Sequence, residues 1–255
     1  MFWNTIARKL RKQFHIGSGN GVQELDPFSA YELWASSYDE VETNALVTAE
    51  QSIIRPILAQ LPLRRKKILD ACCGTGRYLQ VLMESRPQSV SACDVSTAML
   101  ERARLKVDGQ RKVFFDIADL LSLPYKKNQF DFVLCTLALD HLPDLSEGVN
   151  ELSRVTVKHG SVLVSLFHPY GKLLGWKRTF KNSATGGATY AAAYHYHTHV
   201  DYLNAFRSAG LTVEQVFEPL IDDTVRPYYV KAGRAELYER YKGIPIALIF
   251  LLKKK

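Results

Sequence analysis

The chain has 255 residues, enough for one large α/β domain or a domain with a smaller cap. Its 47% hydrophobic and 23% charged residues exclude a disordered chain, and no apolar run approaches the roughly 18 residues that span a bilayer. The formal charge of +7 is unevenly placed, with Arg8, Lys9, Arg11 and Lys12 near one end and Lys253, Lys254 and Lys255 at the other, so the total alone implies no nucleic-acid partner.

In chain order, Phe2, Ile6, Leu10 and Phe14 recur at four-residue spacing among bases. That predicts a basic amphipathic helix over 1–16, suited to an anionic membrane surface or a partner groove; a solvated basic face or a transit peptide has the same pattern. The apolar positions are spaced, which argues against a secretory signal. Residues 15–27 read as a Gly-rich linker, setting 1–27 apart from a domain over 28–255. Residues 28–61 carry helical spacing, with Tyr31, Trp34 and Tyr38 on one face. Strand-like runs then alternate with helical patterns: strands at 66–73, 89–95, 111–118, 130–136 and 160–167, helices near 76–85, 97–107 and 146–157. This rhythm implies βαβ units and a parallel sheet, and runs apolar on both faces suit strands covered on both sides. Residues 168–197 break the rhythm and read as a functional lid, giving cap elements at 28–62 and 168–197. Thr198 to Asp201 resembles a capping box that opens a helix to about 209, and Gly210 ends it. A strand at 211–218, a short helix near 233–242 and a buried strand at 244–252 close the chain.

The stretch ILDACCGTGRYL, residues 68–79, raises a specific question. A Gly74-Thr75-Gly76 turn at the carboxyl end of a strand, opening a helix, serves either close packing or a backbone cradle for an anionic ligand group. Asp94 ends the next strand, 20 residues after Gly74, where an acid accepts both hydroxyls of a ribose. This fits a dinucleotide or another adenosyl ligand. Leu79 stands where a pyrophosphate-binding turn usually has its third glycine, which argues against NAD. Cys72, Cys73, Cys93 and Cys135 fall in apolar runs with neither disulfide nor zinc spacing, and read as buried thiols of a cytoplasmic protein. No metal is expected.

At these residues the chain resembles the class I S-adenosylmethionine-dependent methyltransferases, small-molecule type, over about 28–255. LDACCGTGRYL resembles their first motif, with Asp70 as its acid and Cys72, Gly74, Thr75 and Gly76 around the methionine end of the cofactor. CDVSTAML resembles the second, placing Asp94 on the ribose and Val95 and Met99 near the adenine. DIADLLSLPY resembles the third, with Asp119 and the Leu120 backbone at the adenine amino group. FDFVLCTLALDHLPDL resembles the strand-four segment, with Cys135, Thr136 and Leu137 lining the cofactor. The resemblance implies a Rossmann-like seven-stranded sheet of order 3-2-1-4-5-7-6, strand 7 antiparallel, helices on both faces and a small cap. It also implies a transferase that takes its methyl group from S-adenosylmethionine.

The acceptor side falls to three segments. AYELWASSYDE resembles the N-terminal helix of small-molecule methyltransferases, where Tyr31 and Tyr38 close over the cofactor and Trp34 meets the acceptor; an aromatic core stripe gives the same spacing. Asp140, His141 and His168 are the candidate catalytic residues, since histidine is the usual base near pH 7. Trp176, His195 and His197 are candidate acceptor contacts in the lid. No Asn/Asp-Pro-Pro-aromatic turn follows strand four, so a nucleic-acid acceptor is not expected. The expected acceptor is small and apolar, aromatic or quinone-like, with O-methylation ahead of C- or N-methylation. A non-catalytic cofactor-binding subunit is the competing reading.

Overall fold

The computed structural model describes residues 21–40, 44–182 and 186–255, so the basic helix expected over 1–16 lies outside the described residues. The main sheet holds β2 (Lys67–Ala71), β3 (Ser89–Asp94), β4 (Val113–Ile117), β5 (Phe130–Thr136), β6 (Thr156–Phe167), β9 (Leu211–Phe217) and β10 (Ala247–Lys254). Their spatial order is β4-β3-β2-β5-β6-β10-β9, with β10 antiparallel to both neighbours. This is the order and polarity implied by the resemblance.

The sheet is sandwiched because its strands are apolar on both faces. Leu69, Ala71, Val133, Cys135, Val162 and Val164 face one core, beneath α5 (Leu145–Val155) and α7 (His199–Ser208). Ile68, Val90, Ala92, Phe132, Leu134 and Leu163 face the other, beneath α2 (Ala45–Gln60), α3 (Leu79–Glu84) and α4 (Thr97–Lys106). Each enclosed aliphatic or aromatic side chain contributes about 1.5–3 kcal/mol. The helices start on local signals. Asn44, Ser96 and Asp144 accept backbone N–H bonds at the starts of α2, α4 and α5. At α7 the expected capping box is present, Thr198 and Asp201 satisfying each other's backbone.

A second, three-stranded sheet caps the carboxyl edge of the first, in the order β1-β8-β7. It joins β1 (Val22–Leu25), β7 (Arg178–Asn182) and β8 (Ala188–Ala192). Two expectations are corrected here. Of the expected linker, Val22–Leu25 is a strand that pairs in parallel with Thr189–Ala192 and so shares its backbone hydrogen bonds with a distant strand; residues 15–20 lie outside the described residues. The segment 168–197 is not irregular; it contains α6 (Pro169–Leu173) and the β7–β8 hairpin pair. The cap also includes α1 (Pro27–Trp34), capped by Asp26 and tied to β7 by the Asn182 amide on the Leu33 carbonyl at 2.9 Å. Trp34 stacks on Phe180 with ring centroids 4.6 Å apart, which seats α1 on the small sheet. Before β10 come α8 (Arg226–Lys231), which the sequence reading missed, and α9 (Ala235–Tyr241).

Candidate functional site

The chain leaves β2 through an abrupt turn. Cys72, Gly74 and Gly76 all take positive φ, at 55°, 55° and 73°. The turn is clamped to the end of β3: Cys73 N–H donates to Cys93 O at 2.9 Å, and Gly74 N–H donates to Asp94 Oδ2 at 2.8 Å. The other Asp94 oxygen accepts Ser96 N–H at 2.9 Å. The two glycines have different roles. A Cβ on Gly74 would meet nothing within 4 Å, so the backbone there borders open space. A Cβ on Gly76 would lie 2.7 Å from Leu79 Cδ1 and 3.2 Å from Ala103 Cα. Gly76 therefore lets the turn settle on α3 and α4, and only Gly74 leaves room for a ligand.

Asp70 lies beneath this turn, 1% exposed, and neither carboxyl oxygen has a hydrogen-bond partner among the described residues. Burial pushes its pKa up to about 8, against the pull of the Arg77 guanidinium. Burial also raises Asp94, against its backbone hydrogen bonds. Asp119 is exposed and accepts Leu121 N–H at 2.9 Å. Leu120, Cys135, Thr136 and Leu137 are buried near the same edge, and Val95 is exposed. Met99 is sealed at 1% exposure against Ala30, Trp34 and Tyr38 of the cap. The four cysteines are free thiols, and burial pushes Cys93 up to about 12.

The turn rests on a buried polar support that the sequence reading did not find. Glu50 on α2 is fully enclosed; it accepts Arg77 Nη1 at 2.8 Å and Tyr78 Oη at 2.7 Å, and its other oxygen accepts the Ser165 hydroxyl. The signal was present: Glu50 falls on the same face as Leu46, Val47 and Ile54, where an acid needs an internal partner. Two further acids join the cap to the turn. Asp39 accepts Thr75 Oγ1 and pairs with Lys106, each at 2.7 Å, and Glu32 accepts Ser96 Oγ at 2.7 Å.

On the acceptor side, His141 joins three parts of the chain. It follows β5 in a short 3-10 turn, Leu139–His141. Its Nδ1 lies 2.6 Å from Ala193 O, which only accepts, so Nδ1 carries the proton and Nε2 is the acceptor. The single lone pair of Nε2 is shared by the Tyr31 hydroxyl and Arg178 Nη1, both at 2.9 Å. Burial lowers the pKa of His141, which keeps the ring neutral. Arg178 also donates to Leu137 O at 3.1 Å and stands 3.8 Å from Asp140 Oδ2. Leu137 holds a positive φ of 53°, which turns its carbonyl toward the guanidinium. Tyr31 lies near Trp34 and Tyr38, so the aromatic face read from the sequence closes over this group.

Other expected site residues make contacts of their own, His195 beside the group and the rest away from it. His168 caps α6 by accepting Tyr170 N–H on Nδ1 at 3.2 Å, and its Nε2 meets Glu218 at 3.1 Å. His199 contacts the same Glu218 oxygen at 3.1 Å. The ligand atoms of this trio lie within 4.8 Å of one another, but Nδ1 of His168 is taken as an acceptor, so its Nε2 carries a proton and the cluster is held by hydrogen bonds. Trp176 packs in an apolar cluster against Phe167 and Tyr241. His197 Nε2 contacts Leu142 O at 2.8 Å, and His195 contributes its backbone N–H to Asp140 O at 2.7 Å.

The chemistry of these groups fits S-adenosylmethionine. The partnerless Asp70 carboxyl offers an acid to an ammonium group, Gly74 leaves a cradle open, and Asp94 has lone pairs left for a ribose diol.

Residues 69–164 match a family model described as a methyltransferase domain. The chain is 33% identical over 141 residues to a malonyl-[acyl-carrier protein] O-methyltransferase of Halorhodospira halophila, covering 55% of this chain and 47% of that protein. It is 32% identical over 138 residues to a demethylmenaquinone methyltransferase of Lactiplantibacillus plantarum, covering 52% and 58%. The chain thus spans about half the length of these curated relatives. The crystal structure of an S-adenosylmethionine-dependent methyltransferase from Mesorhizobium loti superposes with a TM-score of 0.62 at 21% identity, covering 81% of this chain and 98% of that one.

Proposed function

We propose that the chain is a class I S-adenosylmethionine-dependent methyltransferase and transfers a methyl group from that cofactor to an oxygen of a small, largely apolar acceptor, a reading supported by the match of residues 69–164 to a methyltransferase domain. The observation that carries the reading is the Gly74–Asp94 contact at 2.8 Å above the partnerless Asp70, at the carboxyl edge of the sheet where such folds bind ligands. When bound, the cofactor supplies a methyl group already activated on a sulfonium. The Gly74–Gly76 turn and Asp70 hold the methionine end, Asp94 the ribose, and Asp119 with the Leu120 backbone the adenine. Tyr31, Trp34, Tyr38 and Phe180 exclude water and give the acceptor an apolar wall. They also favour a nearby cation. His141 takes the acceptor's hydroxyl proton on Nε2 once the Tyr31 hydroxyl and Arg178 Nη1, which now share its lone pair, give way, and releases it to solvent when the cap opens.

The named acceptors of the curated relatives, a malonyl-acyl carrier protein and a demethylated menaquinone, support a non-nucleic-acid acceptor, and the quinone supports one with apolar character. The domain reading, a catalytic unit over 28–255 preceded by a basic segment, and a cytoplasmic location belong to the same proposal. No helix of the described residues is long and apolar enough to cross a membrane. Contact with an anionic membrane through 1–16 is checked by vesicle sedimentation; equal sedimentation of the full chain and a chain lacking 1–20 removes it. The central experiment incubates the full chain with methyl-labelled S-adenosylmethionine and small-molecule extract, and follows the label by mass spectrometry. Label should appear in a small molecule, with S-adenosylhomocysteine formed in step. Failure to bind either cofactor form in calorimetry overturns the reading.

A further inference from the structure

Arg178 sits on the inward face of β7, 6% exposed, with only part of its guanidinium engaged. Nη1 makes its two hydrogen bonds, to Leu137 O and His141 Nε2. Nη2 and Nε carry three of the five N–H bonds of an arginine and make no hydrogen bond among the described residues. Asp140, 3.8 Å away, has neither oxygen hydrogen-bonded. Neither Nη2 nor Nε is sealed from solvent, so this edge is open to a ligand, and it is the edge that grips planar anions with two parallel bonds.

We infer that the acceptor carries a carboxylate, held by the Nη2–Nε edge of Arg178 while its apolar body lies against Tyr31, Trp34 and Phe180; this rests on the methyl-transfer reading above. Charge balance supports it. Arg178 and Asp140 cancel, Arg77, which also acts on the guanidinium, is matched by Glu50, and His141, Tyr31, Tyr38 and Tyr194 are the uncharged polar groups around it. The cofactor's sulfonium adds a positive charge, which a monoanionic acceptor neutralises. A phosphate would bring a second negative charge beside Asp140, so a carboxylate suits the position better. Arg178 is thus a substrate-binding residue contributed by the cap, and it selects acids over neutral molecules of the same shape.

The test uses the full chain saturated with S-adenosylhomocysteine and three probe acids, benzoate, cinnamate and octanoate, each beside its primary amide. At least one acid should bind about 10- to 100-fold more tightly than its amide, the range of a paired charged hydrogen bond. Arg178→Lys should lose most of that preference and Arg178→Met all of it, with S-adenosylhomocysteine affinity reporting that each variant is folded. A measurement on the wild type stands independently of the variants: the Arg178 side-chain Nε–H resonance should move on adding the acid and not the amide. Equal or absent binding of acid and amide, an acid preference that survives in Arg178→Met, or an unmoved resonance overturns the inference. If S-adenosylhomocysteine itself fails to bind, both readings fall; if it binds and the acids are not preferred, this one falls alone.

Discussion

Replacing Asp70 by asparagine tests the electrostatics of the cofactor edge without changing the shape of the side chain. Burial holds the carboxyl at a pKa of about 8, against 3.8 for an unperturbed aspartate. Between those values the folded protein keeps a proton that the unfolded chain has released. Stability from this group is therefore greatest below pH 4, falls as pH rises and levels off above about pH 8. The slope is about 1.4 kcal/mol per pH unit, so wild type should lose about 4 kcal/mol relative to Asp70→Asn between pH 5 and 8. Urea unfolding of both proteins across that range gives the difference directly, and other titrating groups, Asp94 among them, cancel in the comparison. A cation seated beside Asp70 reverses the penalty by stabilising the ionised form. S-adenosylmethionine binding at pH 7 should then release most of one proton, read by calorimetry in buffers of different ionisation enthalpy, and Asp70→Asn should release none from this group. Parallel stability curves for the two proteins would refute the argument, because they would mean that the carboxyl is not confined in the fold.

Breaking the enclosed Glu50–Arg77 pair from one side, by Arg77→Met or Glu50→Leu, should cost about 3–5 kcal/mol, while the double variant recovers much of it; a double-mutant cycle in urea measures the coupling. Gly76→Ala should lose about 2–4 kcal/mol of stability through backbone strain and overlap with Leu79 and Ala103, whereas Gly74→Ala should lose only about 1–2 kcal/mol but weaken cofactor binding; thermal unfolding and calorimetry separate the two. Asp94→Ala should weaken both S-adenosylmethionine and S-adenosylhomocysteine by about 1.5–3 kcal/mol, seen as a calorimetric Kd raised by tenfold or more. His141→Gln should lower kcat with little effect on the KM for cofactor; the wild-type rate should rise with pH through a pKa below 6.5 and then stay flat, as expected of a base that burial keeps neutral.

The main sheet was legible because its strands are enclosed on both faces, so each appears as a continuous apolar run between amphipathic helices. Asp94 was legible for a topological reason: one βαβ unit separates the glycine turn from the end of the next strand, and that fixes their spacing in sequence. The small sheet has no such signature. Val22–Leu25 is four residues with no apolar alternation, and its partner lies more than 160 positions away, so nothing local marks it as a strand. Its pairing comes from the tertiary fold, which routinely overrides local propensity.

Arg178 shows most clearly what the sequence held and concealed. In RTFKN the structure encloses Arg178, Phe180 and Asn182 and exposes Thr179 and Lys181, a strict period of two. Read as a strand, the segment puts a cation on its inward face, and a buried cation requires partners from elsewhere in the chain. Read as an irregular lid, it shows only one arginine among several polar residues. The partners follow β5 and lie about 40 positions upstream: His141, Asp140 and the turned Leu137 carbonyl. A three-stranded sheet, one of whose strands has four residues, needs a packed face to be stable, and contacts such as these help to keep the cap on the site. The Arg178–His141–Tyr31 contacts therefore close the cap and define its polar surface at once, and an acceptor that enters must exchange contacts with those same three side chains.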